Sequence, residues 1–374
     1  VADAALGTAD QGMSLAITAM GMVSSVGLDV ATTCASIRAG IQRPRDIDYF
    51  TVLDAEEQEP KPLTGRPIHG YTDGFTSVGL WLRLAIGSAQ DMADRGGLPP
   101  AEDAAFWSRT GLIAVTPSLA TSRFADDRGI SEQRIREGFL NPLIASLRWP
   151  VQPAMTRVLP IGHAGAIDAI RRSAAAVSNG TLDRVIVIAA DSYLDPWSLD
   201  WLNQSDRLKS DDNPFGLVPG EAGACFLVES DQARSARTAP VLGYAEGASV
   251  AAAEQPRPPD APRLGEGLAQ AISGCIAAAK LAPFSGLMIT DLNGEPSRAQ
   301  DWGSARVRVG QDIAEEAALM LPCASLGETG AASGAVAVCL ALCALQRGYA
   351  GGRHVLIASN SEDGYAASVC VAGA

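Results

Sequence analysis

The sequence predicts an α/β protein of two tandem halves, each a β-α-β-α-β-α-β-β pass, stacked into a layered core with buried helices at its centre. Three observations predict it. Val185-Ile-Val-Ile-Ala-Ala190 is apolar at every residue, as a strand covered on both faces requires. The run from Val158 to Ile170 breaks at Gly162-His163 and becomes an alanine-rich helix, in which Ala164, Ile167, Ile170, Ala174 and Val177 recur at helical spacing. The alternation then begins again after residue 239, where Gly327-Glu-Thr-Gly-Ala-Ala-Ser-Gly334 opens the most apolar helix of the second half.

Taken in order, residues 1–13 are small and acidic and read as a mobile leader, followed by a first half over 14–238 and a second over 239–374. Leu15 to Gly21 reads as a strand. Asp29 is placed to cap a helix through Ile37. Residues 41–75, polar and punctuated by Pro and Gly, read as surface excursions. A long helix is expected from Ser77 to Ala93, a buried strand over Gly111–Val115, and mixed helix and loop over 118–150. The central helix follows, with His163 in its first turn and Asn179-Gly180 as a left-handed C-terminal stop. Residues 192–215 read as a long loop on the active face, ending in a glycine turn and a buried strand to Glu229. In the second half the pattern gives a strand from Val241, a Pro-rich loop over 256–262, a helix from Leu264 to Lys280 and a strand from Leu287. A helix over Asp312–Leu319, the apolar helix ending at Gln346, and strands over His354–Ser359 and Ala366–Val371 complete it.

With 374 residues, 47% hydrophobic and 19% charged, the chain can bury a large core. No apolar run reaches membrane-spanning length and the start lacks the layout of a secretory signal, so a cytoplasmic location is expected and no membrane partner. A net charge of −13 with no Lys/Arg run argues against a nucleic-acid partner. An acidic protein partner would need a local basic patch, for which Arg171, Arg172 and Arg184 lie nearest the central helix. The seven cysteines form no CxxC pair and sit in apolar runs, which reads as buried free thiols. With three histidines and an acidic cluster at Asp195, Asp200, Asp206, Asp211 and Asp212 that fits no EF-hand loop, no metal site and no cofactor is expected.

Four pieces in order, Ile17-Thr-Ala-Met-Gly-Met-Val-Ser-Ser-Val-Gly27, Val218-Pro-Gly-Glu-Ala-Gly-Ala224, Gly330-Ala-Ala-Ser-Gly-Ala335 and Ser359-Asn-Ser361, resemble the thiolase superfamily, and within it the β-ketoacyl-acyl-carrier-protein synthases. The resemblance covers residues 14 to 374 and implies a thiolase-like αβαβα fold. It also implies a homodimer formed through the strand beside the central helix, and a link to fatty acid or polyketide synthesis. The family's condensing mechanism needs a thiolate at the start of the first buried helix and two histidines that bind the thioester carbonyl. At those positions the chain carries His163 for the cysteine, the turn Asp291-Leu-Asn-Gly-Glu-Pro296 with no histidine, and Gly327-Glu328-Thr329 for a Gly-His-Thr motif. Cys323 stands where the family has a lysine, and Glu362-Asp-Gly-Tyr365 where it has a gate. Decarboxylative condensation is therefore expected to be absent, because the helix dipole that favours a thiolate disfavours an imidazolium by roughly 1 kcal/mol.

Two readings stay open. In one, His163 and Glu328 are a hydrogen-bonded pair filling an abandoned cavity. The chain is then a non-condensing accessory or scaffold subunit with a residual acyl pocket lined by Gly327, Thr329 and Cys323, a pseudoenzyme beside an acyl-carrier protein, acyl-CoA or another subunit. In the other, His163 and Glu328 form the base or nucleophile of a repurposed acyl hydrolase or acyltransferase, with Asn293 or Asp291 facing the same pocket and Asn293 or backbone N–H groups as candidate oxyanion donors. Cys323 is a further candidate nucleophile. Glu221 has a support role; His69 and His354 read as a solvated loop residue and a strand-end residue.

Overall fold

The computed structural model describes residues 14–54, 57–96, 98–124, 130–251 and 264–374. The proposed leader over 1–13 and the Pro-rich loop over 256–262 lie outside them. Among the described residues the strands are β1 (Ser14–Ser24), β2 (Arg45–Leu53), β3 (Pro60–Gly65), β4 (Thr110–Val115), β5 (Thr156–Leu159), β6 (Arg184–Ser192) and β7 (Glu221–Glu229). They continue with β8 (Gly243–Ala251), β9 (Leu287–Thr290), β10 (Leu319–Met320), β11 (His354–Asn360) and β12 (Ala366–Gly373). Ten strands run in the order β10-β9-β11-β12-β8-β1-β7-β6-β4-β5, with β2 and β3 forming a separate hairpin. Read outward from the β8–β1 junction, both sides use their strands in one sequence: first, fifth, fourth, second, third. The junction is short, joining only Ser14–Ile17 to Gly243–Glu246, so the two five-stranded halves are linked at one corner.

The helices Gly165–Ser178 and Ser333–Gln346 share one apolar cluster with strands of both halves, including Val115, Val187 and Phe226 on one side and Ile289, Ile357 and Val369 on the other. They are the inner layer. Ser333–Gln346 is apolar around almost its whole circumference because it is enclosed on every side. Outside the first half, the helix Val78–Asp94 packs Leu84, Ala85 and Met92 against Leu112, Ile186 and Ile188. Outside the second, the helix Glu266–Ala279 packs Ile272 and Cys275 against Met288, Leu356 and Cys370. The outcome is the thiolase-like layering that the sequence predicts.

Most elements fall where the residues place them. Asp29 caps the helix Val30–Arg38, its carboxylate accepting the Thr32 N–H at 2.9 Å, and Gly180 takes φ 72° after the central helix. Three expectations need correction. Residues 41–75 are not merely surface excursions: Ile47 and Leu63 of the β2–β3 hairpin are buried against Leu194, Leu199, Leu202, Leu208 and Leu217. Residues 192–215 contain a helix, Pro196–Gln204, with Asp195 accepting from the Ser198 N–H at 3.1 Å and Pro196 at the first helical position. No helix forms over Asp312–Leu319; it lies instead at Pro296–Arg308, whose only buried residue is Ala305, so no apolar periodicity betrays it.

Basic residues near the central helix also differ from expectation. Arg184 is buried against Glu229 at 3.1 Å and lies over the Phe106 ring, while Arg171 and Arg172 both pair with the fully buried Asp168. No helix among the described residues is long and apolar enough to cross a membrane. All seven cysteines are free, five of them buried, with Cys323 and Cys343 partly exposed.

Among the close approaches that only glycine permits is one between β1 and the outer helix Val78–Asp94. A Cβ at Gly21 of β1 would lie 2.1 Å from the Ser88 carbonyl oxygen and 2.5 Å from the Met92 nitrogen, both backbone atoms of the outer helix. Gly21→Ala is expected to lower stability by about 1–3 kcal/mol through forced separation of helix and sheet. Urea unfolding checks this, as a reduced midpoint with an unchanged denaturant slope.

Candidate functional site

His163 is held by a turn between β5 and the central helix. Gly162 donates its N–H to the Thr116 carbonyl at 3.0 Å, and the Gly165 N–H closes on the Gly162 carbonyl at 2.9 Å. The α-helix starts at Gly165, so His163 stands just before the first turn and not within it. Ala164, next in the chain, donates its N–H to Ser361 Oγ at 3.0 Å, which ties the helix start to the far end of β11.

Glu328 approaches from the other half. Gly327 has φ 71°, and a Cβ there would meet the Val218 carbonyl oxygen at 2.7 Å, so glycine is required to turn the chain inward. The Glu328 N–H donates to the Val218 carbonyl at 2.8 Å and its own carbonyl accepts the Gly220 N–H at 3.0 Å. The Val218-Pro-Gly-Glu turn thus fixes the carboxylate. His163 Nε2 lies 2.9 Å from Glu328 Oε1, and both side chains are at most 1% exposed.

Glu328 Oε1 also accepts the Gly330 N–H at 2.8 Å, and Oε2 accepts Asn293 Nδ2 at 2.5 Å. A carboxylate that only accepts requires the proton to be on His163 Nε2. Burial pushes the Glu328 carboxyl upward, but His163, Arg298 and the Gly330 N–H hold it far below the usual carboxylate range. For His163, burial and the Arg298 guanidinium push the imidazole down, and Glu328 together with Asp291 overcomes them, so the net direction is up.

The wider site is an ion network whose carboxylates lie in the segments the motifs single out and whose two guanidiniums, Arg298 and Arg207, do not. Arg298 Nη2 sits 3.1 Å from His163 Nε2, Nη1 donates to the Asn360 carbonyl at 2.8 Å, and Asp291 lies at 3.3 Å. Arg207 grips Glu295 at 2.6 and 2.9 Å and Glu362 at 2.8 and 3.0 Å. Burial raises the Glu362 carboxyl, but Arg207 and Arg298 bring it down to about 2. Four carboxylates, Asp291, Glu295, Glu328 and Glu362, surround two guanidiniums, and a protonated His163 reduces that imbalance. Arg298 and Glu295 belong to the helix Pro296–Arg308 and its cap, the element with no apolar signal; only the Glu-Pro start at 295–296 could have marked it.

Every predicted site residue lies at or next to this network, but not all in the expected role. Asn293 spends its amide on Glu295 at 2.9 Å and on Glu328, which uses both of its N–H bonds and leaves none for an oxyanion. Asp291 faces Arg298 and accepts from Ser359 Oγ and the Asn360 N–H. Cys323 and Thr329 line a neighbouring void of about 10 Å³ with Thr290 and Ser333. Burial, reinforced by Glu328 and Asp291, pushes the Cys323 thiol well above its ordinary pKa, the opposite of an activated nucleophile. Next to His163, between Arg123, Asp191, Tyr193, Trp201 and Glu362, the free space is also about 10 Å³, room for roughly one water. Among the described residues, charged side chains and Tyr193 take up most of the space around His163. His69 is exposed 3.6 Å from Asp73, and His354 lies 3.6 Å from Glu246 at the start of β11. Glu221 is buried, with Thr72, Ser192 and the Ile68 N–H donating to it, in keeping with support.

The pair makes stability depend on pH in both directions. Glu328 is depressed on folding, so its contribution is present above its ordinary value of 4.5 and lost as pH falls through the folded value. His163 is raised, so its contribution is complete below 6.5 and lost as pH rises through the folded value. A double-mutant cycle of His163→Gln and Glu328→Gln, followed by urea unfolding, should give a coupling energy of about 0.5–3 kcal/mol. It should peak between about pH 4.5 and 6.5 and shrink at alkaline pH.

No family model and no curated protein matches the sequence. Solved structures do. A type II PKS acyl-carrier protein in complex with its ketosynthase bound to the hexaketide, AntDE:AntF, aligns at a TM-score of 0.76 and 14% identity over 96% of this chain and 99% of that one. The ishigamide ketosynthase/chain length factor aligns at 0.75 and 16% over the same shares. A β-ketoacyl synthase from Burkholderia phymatum STM815 aligns at 0.68 and 16%, again over 96% and 99%. The chain therefore has the thiolase-like fold of the ketosynthases along nearly its whole length.

Proposed function

We propose that the chain is a ketosynthase-like protein without condensing activity, an accessory subunit that works by pairing with other proteins. The observation that carries this reading is the imidazole hydrogen-bonded to a buried carboxylate just before the central helix, at the position for which the resemblance implies a thiolate. The surrounding ion network leaves space for about one water. A thioester needs a nucleophile with an approach path and a donor pair at the developing oxyanion. The Nε2 proton of His163 is engaged by Glu328, and the Asn293 amide, one candidate donor, is fully used.

Protein partners are supported by the company the fold keeps. One similar structure is a ketosynthase with its acyl-carrier protein, and another a ketosynthase/chain length factor. In this chain β5 ends the sheet and pairs only with β4 among the described residues. A bare edge of this kind is covered when a second subunit adds its own. The partner is either a second copy, giving the homodimer, or a condensing subunit of the same fold. A repurposed hydrolase or acyltransferase using the His163–Glu328 pair has the 2.9 Å contact in its favour and the full burial of both groups against it.

Purified protein given acyl- and malonyl-acyl-carrier protein should form no β-ketoacyl product, and its slow thioester hydrolysis should be unchanged by His163→Gln. Light scattering of the same two samples should show the same dimer. Hydrolysis lost on that substitution would favour the hydrolase reading, and a monomer would count against pairing through β5.

A further inference from the structure

Away from the His163 site, three cysteines meet where the helix Val30–Arg38 lies on the inner helix Ser333–Gln346. Cys34 comes from the first helix, and Cys339 and Cys343 from successive turns of the second. Cys34 Sγ lies 3.9 Å from the Cys339 carbonyl oxygen, and its S–H also donates to the Cys343 sulfur. In an α-helix that carbonyl accepts the Cys343 N–H, so the Cys34 thiol sits over the turn from which Cys343 projects.

The two thiols are unequal. Cys34 is 4% exposed, whereas Cys343 is partly exposed near the end of its helix. The bond from Cys34, together with the Arg347 and Arg95 guanidiniums, holds the Cys343 thiol below its ordinary pKa against the opposing effect of burial. The same bond, with burial, pushes Cys34 up. Burial pushes the Cys225, Cys323 and Cys339 thiols up as well. Cys275 and Cys370 are also close, with sulfurs 3.4 Å apart, but both are buried and give a dissolved oxidant no approach. A partly exposed thiol with thiolate character beside a second thiol is the arrangement that oxidants select.

We infer that Cys343 and Cys34 form a reversible redox pair, in which Cys343 attacks hydrogen peroxide and Cys34 resolves the product to a disulfide between the helices Val30–Arg38 and Ser333–Gln346. The Cys343 thiolate attacks one peroxide oxygen, the O–O bond breaks, and a sulfenic acid and hydroxide form; the proton that Cys343 gave up converts the hydroxide to water. The Cys34 sulfur then attacks the Cys343 sulfur. The S–S bond forms, the S–O bond breaks, and the departing hydroxide takes the Cys34 proton. The two thiols lose two electrons and the peroxide is reduced to two waters. The cross-link joins segments far apart in the chain and so restrains the unfolded state.

The test treats the reduced full chain with hydrogen peroxide, blocks the remaining thiols, and reads intact mass and disulfide-linked peptides. The wild type should lose two hydrogens in mass, yield a peptide pair joining Cys34 to Cys343, unfold at a higher temperature and return to its starting mass with dithiothreitol. Cys34→Ser should leave Cys343 as a sulfenic acid that dimedone captures, and Cys343→Ser should leave Cys34 reduced. Labelling of the native wild type with iodoacetamide keeps the test decisive if a variant does not fold: Cys343 should react roughly tenfold or more faster than Cys323, the other partly exposed thiol. A disulfide mapping to Cys275 and Cys370, peroxide that leaves Cys34 and Cys343 reduced, or Cys323 labelled as fast as Cys343 would each overturn the inference.

Discussion

A carboxylate with no exposure to solvent, Glu328, sits where the two halves of the protein meet, and the surrounding structure is arranged to keep it ionised. Isolated, such a charge would cost several kcal/mol, and the protein offsets this with an imidazole, an amide and a backbone N–H, each from a different segment. His163 comes from the start of the inner helix of the first half, Asn293 from the turn after β9, and Gly330 from the start of the inner helix of the second half. The contacts therefore link both inner helices and the end of one sheet. Arg298 and Arg207 extend the compensation to Asp291, Glu295 and Glu362, so that no acidic group at this centre is left alone.

That constraint also bears on chemistry. A ketosynthase-like scaffold presents one side chain at a helix start, where backbone N–H groups and the helix dipole favour an anion. An imidazole there gains little from the dipole and must find a carboxylate instead. With Glu328 supplying it, the proton on His163 Nε2 is engaged by the carboxylate, which is the basis for proposing a structural role for the pair. Arg298 beside the imidazole, and Glu362 and Tyr193 in the wall next to it, take up the space around the pair among the described residues.

Much of this was legible in the residues. The fully apolar run at Val185 to Ala190, the Asp29 cap and the Asn179-Gly180 stop each translate directly into a strand, a helix start and a helix end. The His163–Glu328 contact was legible only through resemblance, since 165 residues separate the two and no spacing rule joins them. The guanidiniums of the ion network, and the helix that carries one of them, are not legible in this way. Arg298 and Glu295 lie on a helix that buries one alanine, and Arg207 follows a helix in a segment whose Asp, Ser and Asn content reads as loop. Apolar periodicity reports which face a helix buries against a core; it is silent where the buried contacts are ionic. The β2–β3 hairpin gives no such signal for a related reason, because its burial comes from a few residues such as Ile47 and Leu63 spaced among polar ones.

The proposed lack of condensing activity requires that the start of the central helix present no usable nucleophile. Intact-mass measurement of the purified chain after incubation with acyl-acyl-carrier protein and acyl-CoA tests that directly. The unmodified mass, with the thioesters intact, is the predicted result; an acyl adduct mapping to His163 or Cys323 would contradict it.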